Sequence, residues 1–140
     1  MTATQTICNS FKLECLQAIH DFTSDTFKMA LFDSATATLD ADTTAYSTTG
    51  EITGTGYTAG GRDLDLTASY PQLVSGVAEV RFDDEAWTSA TITADAALIY
   101  NSSKANRAVC VLYFGGYRSA SNGTFTVSVP TTSPAIIRFR

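Results

Sequence analysis

Apolar and polar positions alternate through most of this chain, and the period predicts its elements. Leu64 and Leu66 alternate with Asp63, Asp65 and Thr67; Ala78, Val80 and Phe82 with Glu79, Arg81 and Asp83; and Ala90, Ile92 and Ala94 with Thr91 and Thr93. Phe125, Val127 and Val129 repeat the pattern against Thr126 and Ser128. A period of two puts one face of a strand in a core and the other in water. Thr26–Phe32, Ala96–Tyr100 and Ala108–Phe114 are apolar on both faces. The last two flank Asn101–Arg107 and predict a hairpin in the middle of a sheet. Ser119–Gly123 contains Asn-Gly, a turn signal because both residues tolerate positive φ. Pro130 and Pro134 bracket a break before a last strand over 135–140, since proline donates no ladder hydrogen bond.

One segment carries a helical period. Phe11, Cys15, Ala18, Ile19 and Phe22 fall on one stripe, with Asn9 or Ser10 as N-cap and Lys12, Glu14, Gln17 and His20 on the other faces. The expectation is a helix over about 9–22, ended by Thr23 and Ser24. A Gly/Thr-rich arm over about 34–61 is interrupted by a turn at Asp42–Tyr46 and a short strand at Glu51–Thr53. About seven to nine short strands behind one helix predict a mainly β fold, an antiparallel sandwich, in a single domain over 1–140.

Composition agrees. Charged residues are 16% of the 140 and hydrophobic ones 44%, a balance that argues against disorder. Threonine suits a half-exposed pleated surface. Three cysteines, Cys8, Cys15 and Cys110, form no C-x-x-C pair. On one helix Cys8 and Cys15 would lie about 10 Å apart, beyond disulfide reach, so reduced, packed thiols are expected. The start of the chain lacks a basic stretch followed by an apolar one, and no apolar run approaches a membrane span. That predicts a chain made in a reducing cytoplasm with no membrane partner. The net charge of −5 disfavours nucleic acid. All fourteen acids lie at or before Asp95, whereas Lys104, Arg107, Arg118, Arg138 and Arg140 follow it. Either the surface is segregated and pairs with a copy or an acidic partner, or folding mixes the two halves.

No motif assembles a catalytic, metal or cofactor site. His20 is the one histidine and reads as a surface or helix-end residue; no G-x-S-x-G elbow accompanies it. Asp83, Asp84 and Glu85, and the pairs Asp40/Asp42 and Asp63/Asp65, lack the calcium-loop pattern and read as solvated turns and faces. Gly54, Gly56, Gly60 and Gly61 match no phosphate loop. Trp87 and the tyrosines serve either as a sugar platform or as packing.

Lys28-Met-Ala-Leu-Phe-Asp33, Thr43-Thr-Ala-Tyr-Ser-Thr-Thr-Gly-Glu51 and Gly54-Thr-Gly-Tyr-Thr-Ala-Gly-Gly61 resemble small head proteins of tailed bacteriophages. Phe82-Asp-Asp-Glu-Ala-Trp87, Ala97-Leu-Ile-Tyr-Asn101 and Val111-Leu-Tyr-Phe-Gly115 follow in the same order. The likeness runs from about Phe27 to Phe139 and is similar in length and content to the capsid cement (decoration) proteins of short-tailed phages. The resemblance implies a jelly-roll-like sandwich on the virion, a homodimer that clamps neighbouring major capsid proteins. It brings no active-site residue. Tyr46, Ile52, Tyr57, Arg62, Arg118, Arg138 and Arg140 are the candidate intersubunit contacts, with the arm ordering on contact. The other reading is a carbohydrate- or receptor-binding module of a phage fibre or tail.

Overall fold

A computed structural model describes Ala3, residues 5–129 and residues 137–139. The protein is mainly β, with antiparallel sheets and one short helix near the N-terminus. In chain order the elements are β1 (Thr6–Ile7), α1 (Asn9–Leu16), β2 (Phe27–Phe32), β3 (Arg62–Asp63), β4 (Gln72–Val74), β5 (Val77–Val80), β6 (Glu85–Asn101), β7 (Arg107–Val127) and β8 (Ile137–Phe139). A five-stranded sheet has the order β1-β7-β6-β2-β3, and a three-stranded sheet the order β4-β5-β8. Both contribute to one buried cluster that includes Phe27, Phe82, Trp87, Val80 and Ile137, the sandwich-like arrangement that alternation predicts. Pro130, Pro134 and Arg140 lie outside the described residues; the last expected strand is described over Ile137–Phe139.

The β6–β7 hairpin organises the large sheet. Its register starts at Asn101↔Arg107 and runs to Glu85↔Val127, so the hairpin expected around Asn101–Arg107 forms where the apolar runs place it. On the outer side of β6, β2 pairs from Phe27↔Asn101 to Phe32↔Ala96. All of Ala94–Asn101 is buried, as a central strand covered on both faces requires.

The turn expected at Ser119–Gly123 does not form. Asn122 does take a positive φ of 50°, but it does so inside β7. There Ala90 pairs with Gly123 and Ile92 with Ala120, across shifts in register. The Asn-Gly pair supplies a β-bulge rather than a reversal, because β6 continues opposite and the ladder resumes beyond it. Several expected short strands are therefore two long, bulged ones.

The helix is also shorter than the stripe predicts. Cys8 is the N-cap, with no side-chain hydrogen bond, and the helix ends at Leu16 with Gln17 as C-cap. Ala18 adopts the left-handed conformation at φ 58°. Its N–H donates to Cys15 O, and the Ile19 N–H donates to Glu14 O, the bond pair of a Schellman stop made without glycine. The buried helix residues are Phe11 and Glu14; of the apolar stripe, Phe11 is core, Cys15 and Phe22 pack against it and Ala18 is exposed.

Candidate functional site

A few of the chain's charged groups, Glu14, Glu79, Glu85 and Asp95, are buried among the described residues. The side chain of His20 is fully buried, with its ring beside Phe11 at 4.8 Å and Phe27 at 6.3 Å. Its Nδ1 accepts from Asn101 Nδ2 at 3.0 Å, so Nε2 carries the proton and donates to Glu14 Oε1 at 2.9 Å. Arg107 Nη1 donates to the other Glu14 oxygen at 2.8 Å. Asn101, with no exposure, also donates to Asp25 Oδ2 at 2.8 Å and accepts from the Ser103 N–H. Lys104 Nζ donates to both Asp25 oxygens at 2.9 Å. His20 and Glu14 are thus interior groups, not surface ones. Both nitrogens of His20 are occupied by structural partners, which leaves no geometry for a Ser-His-Asp relay. Burial alone would raise the Asp25 carboxyl; hydrogen bonds from Asn101, the Asp21 N–H and Lys104, with the Lys104 charge, override it and hold the group at about 2.

A second cluster fixes the Gly/Thr-rich arm. Glu51 accepts from Tyr46 Oη at 2.5 Å, Tyr57 Oη at 2.6 Å and the Gly60 N–H at 2.7 Å. Tyr57 Oη accepts in turn from the Leu31 N–H of β2 at 3.0 Å. Tyr100 donates to Gly60 O at 2.6 Å and stacks on Tyr46 with centroids 4.6 Å apart. Single bridges, Phe32↔Glu51, Ala45↔Arg107 and Thr55↔Thr91, lay the arm across the large sheet. The arm is therefore part of the packed fold rather than a segment awaiting a partner. Side-chain acceptors and single bridges do the work that a longer ladder would do.

Several candidate contacts consequently face inward. Ile52 is 8% exposed. Tyr46 and Tyr57 are half-buried and commit their hydroxyls to Glu51. Arg62 keeps half its side chain in water and pairs with buried Glu85 at 2.6 Å. Arg138 lies against buried Glu79 at 3.7 Å, opposite Arg81. Only Arg118 stands out on the surface without an acid partner among the described residues. Lys104, Arg107 and Arg138 each pair with an acid from the segment that ends at Asp95. Folding therefore mixes the two charge halves.

The tyrosines carry a pH signature. Burial first, then the Glu51 hydrogen bonds and charge, push Tyr46 and Tyr57 far up, and burial with the Glu51 and Asp63 charges pushes Tyr100 up to about 12. Tyr117 is pushed up to about 12 by its 2.6 Å hydrogen bond to Asp33, with the Asp33 charge adding to it. A group raised in the folded state stabilises below its ordinary value, here 10.0, and loses that contribution as pH climbs through the raised one. Stability is expected to fall between pH 10 and about 12. Near-ultraviolet absorbance should show these four hydroxyls ionising together with unfolding; ionisation of all tyrosines near pH 10 in a folded protein would contradict the geometry.

Other chemistry is absorbed by packing. Burial raises Cys8 to about 12 and Cys15 to about 11, and lifts Cys110 as well; Asp40, Glu14 and the neighbouring thiol add to it. All three are free cysteines and poor nucleophiles. Trp87 is 2% exposed, its indole against Tyr57 and Phe125, so it is core and no sugar platform. Among the described residues no group of three or more His, Cys, Asp or Glu side chains is placed to hold a metal ion, and no helix is long and apolar enough to cross a membrane.

Two grooves flank the bulged part of β7. One, of about 450 Å³, has Leu112, Phe114, Phe125 and Val127 in its lining, with Gln5 and Arg118. The other, of about 460 Å³, lies between the arm and the hairpin and includes Asp33, Thr36, Thr53, Thr91, Thr93 and Tyr117. None of the buried ion-pair clusters around His20, Asp25 or Glu79 lines either of them. No family model, curated protein or solved structure matches this chain.

Proposed function

We propose that this chain is a structural virion protein that binds the outer surface of a tailed-phage capsid and clamps neighbouring major capsid proteins, stabilising the head. The observation that carries this reading is the partition of chemistry in the fold. Ionisable clusters are spent on holding elements together, and the long β7 surface offers neutral Thr, Ser and Tyr side chains with Arg118 as the single charge from Leu112 to Val127. Such a surface adheres by shape and hydrogen bonds, and symmetry multiplies modest contacts across a shell. A protein that binds only the assembled shell stabilises it by mass action. The reading takes the major capsid protein and a second copy as partners, with no nucleic acid, membrane, cofactor or catalysed reaction. Leu13 and Leu16, 57% and 87% exposed on α1, support the contact between copies.

The test is co-sedimentation of the purified protein with expanded, undecorated capsids of a short-tailed phage. Binding at saturating stoichiometry and a raised rupture temperature are expected. Thr124→Lys with Thr126→Lys, both exposed on β7, is expected to weaken binding about tenfold or more. Absence of binding by a folded wild type would refute the proposal. A second reading rests on Tyr117, 52% exposed and held by Asp33 at the threonine-lined groove, a combination suited to a glycan. Glycan-array binding that Tyr117→Ala abolishes would favour it over the capsid.

A further inference from the structure

Among the described residues, the outer edge of β7 is open beyond its short pairing with β1. β1 covers only Cys110 and Val111, and among the described residues no strand pairs with the outer side of β7 from Leu112 to Val127. Open edges template pairing with other chains, and sheets ordinarily blunt them with lysine, proline, charge or bulges. Leu112–Val127 contains no proline, no lysine and no acid. Its defences are three breaks in register and two side chains.

The break between Tyr113 and Arg118 is the largest. Ala96 pairs with Tyr113 but Ala94 with Arg118, so residues 114–117 have no ladder partner on β6. The backbone groups around this break are satisfied by side chains instead. Gln5 Oε1 accepts from the Tyr113 N–H at 3.3 Å. Arg118 folds back to donate from Nη2 to Phe114 O at 3.0 Å and from Nη1 to Tyr117 O at 3.2 Å. A neighbouring strand would fill the same donor and acceptor positions with its own backbone.

We propose that Gln5 and Arg118 are guards that keep a second copy of this chain from adding to the β7 edge. The occupant follows from charge and symmetry. Two copies laid antiparallel about a two-fold axis present the same segment to each other. Arg118 sits next to the middle of Leu112–Val127, so such pairing brings the two guanidinium groups together, and like charges across strands are unfavourable. Without Arg118 the segment is neutral, and its end, Thr124-Phe125-Thr126-Val127, has the alternation and β-branched content that favour pairing. The guard thus acts twice, by occupying backbone carbonyls and by repelling its own copy.

The experiment compares the full-length wild type with Gln5→Ala/Arg118→Ala by sedimentation over a concentration series, with amide hydrogen exchange on the same samples. The double variant is expected to associate at concentrations where the wild type gains no protection over residues 113–127, and to slow exchange there about tenfold or more. Association through α1 leaves that segment's exchange unchanged, which separates this proposal from the contact between copies in the capsid reading. Adding Ser119→Lys to the double variant restores a central charge and is expected to reverse the association. The proposal is overturned if the folded double variant matches the wild type, if it associates without protecting 113–127, or if the wild type itself protects that segment on concentration.

Discussion

Gly61→Ala is expected to destabilise the fold by about 4 kcal/mol or more, at the far end of single-substitution effects. A Cβ at this position would stand 1.8 Å from Met29 O and 2.8 Å from Ala30 Cα, and Gly61 has a φ of +80°. The obstacle is backbone of β2, which cannot retreat because it pairs with β6 on one side and β3 on the other. Gly76→Ala is the control. Gly76 has a similar φ of +81° but nothing within 4 Å of the added carbon, so only the left-handed conformation is charged against it, about 1–2 kcal/mol. Urea melts of the two variants separate close approach from backbone conformation. Equal losses would mean that the contact with β2 contributes nothing.

Glu51→Ala is expected to cost about 3 kcal/mol and to release the arm. Three donors converge on this carboxylate, and hydrogen bonds to charged groups contribute about 1.5–3 kcal/mol each, less where water can replace the lost partner. Tyr46→Phe removes one of the three and is expected to cost about 1 kcal/mol. Limited proteolysis should cut the Glu51→Ala protein between Tyr46 and Gly60 while the hairpin stays intact. A variant that melts like the wild type and resists cleavage would show that the arm is held by Ile52 and the single bridges alone.

How much of this was legible in the sequence depends on the distance over which each feature is encoded. β2 and the start of the β6–β7 hairpin are local patterns: a continuous apolar run, a polar turn and another apolar run. The β6–β7 pairing follows from adjacency, whereas the pairing of β2 with β6 spans a long stretch of chain. The bulge at Asn122 is not local in that sense, because Asn-Gly permits either a reversal or a bulge and the strand opposite decides. The stop at Ala18 is hidden because alanine is rarely left-handed; the bonds to Cys15 and Glu14 hold it there. His20 and Glu14 read as polar-face residues because Asn101 and Arg107 are remote in the chain. Glu14 joins Phe11 on the buried face of α1 because a hydrogen-bonded acid can occupy an interior position. The surface character of β7 was partly visible, in its scarcity of charge. Its open edge was not, since edge or centre is a property of the whole sheet.

The β6–β7 pairing also bears on the order of assembly. Asn101 and Arg107 are joined by a short loop, so closing their end of the ladder costs little chain entropy, and each further pair extends outward from a turn already made. β2 joins the same ladder only by closing the long stretch between Phe32 and Ala96, and β1 reaches β7 across a still longer one. The path of least entropy is therefore a zipper that starts at the tip, meets its irregular rungs midway, and offers its finished flank to the N-terminal third of the chain. In a ribosome-bound nascent chain that flank is synthesised after α1, β1 and β2, which emerge without a template and wait for it.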